Sequence, residues 1–81
     1  MHASITHVTS GHIIAVQEER FRVLTDDGQG LVLSLAHDVP LDSSDLAALQ
    51  AAGAHVIVRY TGRPNLEMGT AHSIRSMSPA E

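Results

Sequence analysis

The chain has no cysteine, no lysine and no tryptophan among its 81 residues, and its aromatic side chains are a single phenylalanine and a single tyrosine. Without cysteine there are no disulfides, no thiolate metal sites and no cysteine nucleophile. Without lysine there is no Schiff base, no phosphate-loop lysine and no lysine-driven grip on nucleic acid. With only Phe21 and Tyr60 there is almost nothing for bases to stack on, although stacking is the usual way to hold a single strand. Long apolar runs are missing as well. The longest near the N-terminus is Ile13 to Val16, too short for a signal peptide or a membrane span, so the cytoplasm is the expected compartment. Nine acids against five arginines give a formal net charge of -4, the wrong sign for a protein that lives on phosphate backbones unless a local basic patch overrides it.

What is present is β-forming sequence. The stretch from Arg20 to Ala36, RFRVLTDDGQGLVLSLA, holds two apolar runs around Asp26-Asp27-Gly28-Gln29-Gly30, and Asp-Gly between β-rich runs signals a hairpin. Centring the turn on Gly28 pairs Thr25 with Leu31, Val23 with Leu33 and Phe21 with Leu35, which gathers Phe21, Val23, Leu31, Leu33 and Leu35 on one face. That face is predicted to be core. The other carries Arg20, Arg22, Leu24, Val32, Ser34 and Ala36.

Ahead of the hairpin, Gly11 to Gln17 contains His12, Ile13, Ile14, Ala15 and Val16, β-branched enough for a strand. A turn at Glu18-Glu19, or a four-residue loop in the same register, returns it into Arg20, pairing Val16 with Phe21 and Ile14 with Val23. Those pairs put Ile14 in the core, and Ile13 beside Leu24 on the outer face. Residues 1–10 are polar and read as an N-terminal tail that can extend this strand.

After the third strand, Val39-Pro40 breaks the ladder, because proline has no amide proton to give. Asp42 then suits an N-cap, Asp45 the N3 position, and Leu41 and Leu46 the staple, with Gly53 ending a helix of about ten residues. His55 to Thr61 alternates as a fourth strand with Val56, Val58 and Tyr60 on one side. Thr70 to Met77 forms a fifth, pairing Val58 with Ile74 and Tyr60 with His72, and residues 78–81 make a short polar tail.

Three strands, a helix and two strands define an all-β fold with one helix, and over residues 11–77 this order resembles the five-stranded barrel of the oligonucleotide/oligosaccharide-binding (OB) fold. An SH3-like barrel also has five strands but usually carries only a short turn of helix late in the chain. GHIIAV, RFRVL and DGQGLVLSL further resemble an S1-type RNA-binding domain, in which a glycine opens the first strand and Gly-Leu-Val follows the hairpin. That resemblance implies RNA contact through the second and third strands. Here those surface positions hold Arg22, Leu24, Val32 and Ser34, where the S1 type has aromatics and lysines.

Six histidines, His2, His7, His12, His37, His55 and His72, raise the question of a metal. His55 and His72 fall about five residues apart on the last hairpin, roughly 16 Å at strand rise, too far for one tetrahedral centre. His7 and His12 have opposite strand parity. The acid pairs Glu18-Glu19 and Asp26-Asp27 read as solvated turns, and Ser43-Ser44 as capping residues, so neither a metal, a cofactor nor a catalytic residue is expected.

The expected function is a small non-catalytic binding or interaction module that uses the outer face of its first three strands: Ile13, Arg20, Arg22, Leu24, Val32 and Ser34. A second copy of the chain is the partner such a row fits most economically, since a small domain gains core by association. The alternative is single-stranded RNA or DNA, held by Arg20 and Arg22 together with Arg63 in the loop between the last two strands, which in OB folds commonly borders the ligand groove.

Overall fold

A computed structural model describes residues 6–62 and 68–77. Five strands and one helix follow in the order β1 (Thr6–Gln17), β2 (Arg20–Thr25), β3 (Gly30–Leu35), α1 (Ser43–Ala51), β4 (His55–Thr61) and β5 (Gly69–Ser76). The strands form one sheet in the order β1-β2-β3-β5-β4, and β4 returns to β1 so that the sheet closes into a ring. All neighbours are antiparallel except β3 and β5, which run parallel over Leu33–Leu35 and Gly69–Ala71. The expected element order and helix position are those found.

The ring closes because β1 is longer than its apolar run suggests. It begins at Thr6 rather than Gly11, so five residues of the polar tail belong to it. Its first half pairs with β4, from Thr6 opposite Thr61 to His12 opposite His55. Its second half pairs with β2, from Gly11 opposite Thr25 to Gln17 opposite Arg20. Gly11 and His12 are thus bonded on both sides, where the strand passes from one neighbour to the other.

Two registers depart from the sequence reading. A β-bulge between Ile13 and Ala15 sets Ile13, not Ile14, opposite Val23. The extra residue reverses the alternation of everything before it. Ile13 is therefore 5% exposed and in the core, while Ile14 is 44% exposed. The bulge is tied down by α1, whose Gln50 side-chain amide donates to the Ile14 carbonyl oxygen at 3.0 Å. Across β2 and β3 the observed pairs are Phe21 with Leu33 and Val23 with Leu31. This is two residues away from the expected register, so every side chain keeps its predicted face. The cause is the turn: the Gly28 amide donates to the Thr25 carbonyl and Gly28 takes φ +92, giving a three-residue loop with a left-handed glycine.

Phe21, Val23, Leu31, Leu33, Val56, Val58, Ala71 and Ile13 fill the ring, joined by Leu46 from α1. The helix starts where its cap predicts. The Asp42 carboxylate accepts from the Ser44 and Asp45 amides, and the Asp45 carboxylate accepts in turn from the Asp42 amide. Val58 lies opposite Ile74 as expected, but a second irregularity pairs Tyr60 with Ala71. His72 is consequently exposed, not packed beside Tyr60; its Nε2 lies 2.9 Å from the Thr61 hydroxyl. Tyr60 is stacked by His7 instead, with ring centroids 5.2 Å apart. No helix among the described residues is long and apolar enough to cross a membrane.

Candidate functional site

On the outer face of β1, β2 and β3 the cross-strand registers align three rows. Gln17, Arg20 and Ser34 form one, Ala15, Arg22 and Val32 the next, and His12, Leu24 and Gly30 the third. Long side chains on the central strand thus stand beside the small Ala15, Ser34 and Gly30. The difference in length leaves a hollow of about 350 Å³ lined by Ala15, Gln17, Arg20, Phe21, Arg22 and Val32. A second hollow, of about 480 Å³, adjoins it at Arg20 and is lined also by Glu18, Glu19, Ser34 and Met68. At that end Glu18 holds φ +57, a left-handed conformation that costs a non-glycine residue roughly 1 kcal/mol.

Of the residues expected on this face, the structure brings together Arg20, Arg22, Leu24, Val32 and Ser34. Ile13 is corrected: the bulge turns it inward. Leu24 consequently lies beside His12 rather than Ile13, and the apolar content of the face is smaller than the alternation predicts. Val32 is half-buried next to Arg22, and the Ser34 hydroxyl faces the Gly69 carbonyl at 3.5 Å, at the parallel seam. Arg63 lies outside the described residues.

Charge is sorted by position around the ring. Arg20, Arg22, Arg59 and Arg75 all stand on strands and are exposed, and none makes an ion pair among the described residues. The described acids occupy turns and the helix start: Glu18 and Glu19, Asp26 and Asp27, Asp38, Asp42 and Asp45. The net charge of -4 is therefore no guide to the strand wall, which is cationic.

A polar cluster missed by the sequence reading sits where β1 meets both neighbours. His12 and His55 stack with centroids 5.0 Å apart and planes 15° apart. His55 Nε2 lies 2.9 Å from Asp26 Oδ2, and the Ser10 hydroxyl donates to the same oxygen. These residues come from three elements, and only the extended β1 brings them together. The signal available beforehand was the shared parity of Ser10 and His12 had the strand been run back past Gly11. The described residues contain no group of three or more His, Cys, Asp or Glu side chains arranged to hold a metal ion. The serine is bonded to the carboxylate and not to an imidazole, so neither histidine is placed to take its proton.

The Ser10 hydroxyl first, and the His55 ring second, hold the Asp26 carboxyl below its ordinary value of 3.8. Asp42 is lowered too, chiefly by the Ser44 hydroxyl and then by the Asp45 amide. A carboxyl lowered in the folded state adds stability that is fully present above its ordinary value and lost as pH falls through the folded one. Asp26→Asn is expected to lower stability at neutral pH and to flatten the decline below pH 3.8, leaving only the part due to Asp42 and the other acids. Urea midpoints across an acid pH series check this, and a variant curve parallel to the wild type would remove the assignment.

No family model matches the chain, and neither the curated proteins nor the solved structures contain a match.

Proposed function

We propose that the chain is a small non-catalytic binding module of OB-like architecture, with the outer face of β1, β2 and β3 as its contact surface. The observation that carries this reading is the hollow beside Arg20 and Arg22, two cations two residues apart on the central strand of the face that make no ion pair among the described residues. The ring order, the parallel contact of β3 with β5 and the helix between β3 and β4 support the OB-like assignment. In such barrels this face serves ligands that lie across the strands.

The chemistry of the face favours an extended anionic ligand, of which a single nucleic-acid strand is the commonest kind. Arg20 and Arg22 project about 7 Å apart along the strand, so they can meet successive charges of an extended chain. With no aromatic side chain exposed there, binding is electrostatic and insensitive to base identity. Self-association through this same face loses support, because Ile13, one of its three large apolar members, lies in the core.

Titrating a single-stranded oligonucleotide into the labelled protein at low salt is expected to shift the amides of β1, β2 and β3. Affinity should fall steeply with salt, and Arg22→Ala should weaken binding while reducing the logarithmic salt slope by about one. Absence of binding at low salt, or shifts confined to other strands, would end the nucleic-acid reading. Shifts on this face produced by an acidic peptide but not by an oligonucleotide would keep the contact surface and change the ligand.

A further inference from the structure

A second outer face, formed by β1, β4 and β5, has a different character. Val8 is 64% exposed, Met77 41% and Ile57 36%, and together with Thr9 and Ser10 they line a hollow of about 250 Å³. The registers order its surroundings. The Asp26 amide donates to the Ser10 carbonyl at 3.0 Å, Ser10 stands opposite Ile57, and Ile57 stands opposite Arg75. One row across the sheet therefore reads Asp26, Ser10, Ile57, Arg75, with an acid at one margin, a cation at the other and an apolar side chain between. At the usual strand spacing the two charges are about 14 Å apart. Val8 lies in the row on one side of this, opposite Arg59, while Met77 lies in the row on the other side, its amide bonded to the His55 carbonyl at 2.7 Å.

We propose that this face is a two-fold self-association surface whose occupant is a second copy of the chain. A half-turn about an axis normal to the row exchanges its margins. Asp26 then meets Arg75 of the second copy, Arg75 meets Asp26 of the second copy, and each Ile57 is set over Ser10 of the second copy, one strand away from the other Ile57. Such a row is complementary to itself, whereas a partner of one charge would be repelled at one margin. Both charges are ready for the contact. Arg75 has no ion pair among the described residues, and Asp26 keeps half of its side chain exposed while Ser10 and His55 hold it in place, so little ordering is needed. Association also covers three large apolar side chains in a domain whose own core is small.

Sedimentation velocity across the micromolar range tests this on the full chain. The wild type is expected to dimerise with concentration, and Ile57→Asp to remain monomeric with unchanged strand content. Arg75→Glu and Asp26→Arg should each weaken the dimer about tenfold or more, because each reverses both symmetric contacts. Mixing the two variants should restore association, since every contact in the mixed dimer again joins opposite charges. Asp26→Arg also gives up the bonds to Ser10 and His55; should it fail to fold, Ile57→Asp and Arg75→Glu still decide the matter. A wild type that stays monomeric throughout, a dimer indifferent to Ile57→Asp and Arg75→Glu, or a folded mixture no tighter than its components overturns the proposal. Arg75→Glu lies away from the Arg22 face, so oligonucleotide binding by that variant is read separately from its oligomeric state.

Discussion

Gly11→Ala is expected to cost at least about 3 kcal/mol, a large share of the total stability of a domain this small. Gly11 is where β1 passes from β2 to β4, and it is paired on both sides, to Thr25 and to Val56. A methyl group added there would land on the Leu24 carbonyl oxygen and come within 2.8 Å of the Thr25 Cα. These are backbone atoms of the neighbouring strand. No rotamer change relieves the contact, so the strands must part at the point that closes the ring. Urea denaturation measures the loss, and an alanine variant with the wild-type midpoint would show that the strands can separate there without penalty. Gly28, in a turn, and Gly53, after the helix, differ in kind: they have open space around the position of a side chain, and their need for glycine comes from positive φ alone.

Leu46→Ala is expected to cost about 2–5 kcal/mol and to loosen the helix together with the barrel end it covers. Leu46 is the one helix residue fully enclosed in the core, packed among the strand side chains. A helix of nine residues is too short to hold itself in water, so its order depends on that side chain and on the Asp42 cap. Truncation removes the anchor and leaves a cavity under α1. It also weakens the support for Gln50, which satisfies the bulge at Ile14. Leu49, only half-buried against the same core, should lose less when changed to Ala. Chemical denaturation of the pair gives the comparison directly. Equal losses for Leu46→Ala and Leu49→Ala would mean that Leu46 is not the anchor.

Much of this architecture was legible in the chain because its signals are local. The Asp42 and Asp45 cap, the break at Pro40 and the left-handed Gly53 mark the helix without reference to anything distant. The alternation of Phe21 and Val23 against Arg20 and Arg22 declares two faces whichever partner strand is chosen. An error of two residues in the hairpin register therefore left the core face intact, since side chains repeat with period two. An error of one residue is another matter. Ile13 and Ile14 are adjacent, equally apolar and equally β-branched, and nothing in their own chemistry says which points inward. The bulge decides it, and the bulge belongs to a strand that has to bend around a closed ring and meet the Gln50 side chain of α1.

The candidate sites divide in the same way. Arg20, Arg22, Leu24, Val32 and Ser34 were found from one continuous stretch, because a hairpin's faces are written in consecutive residues. The cluster of Ser10, His12, Asp26 and His55, and the row from Asp26 to Arg75, draw on segments that only ring closure brings together. Strand and helix order and the inner face of the hairpin were readable from the residues alone, because each rests on periodicity or on capping within a few residues. Only the folded ring settled that β1 begins at Thr6 and serves two neighbours, and that Ile13 rather than Ile14 is buried. Those outcomes depend on where a bent strand finds its hydrogen-bond partners, and that is set by closing the ring.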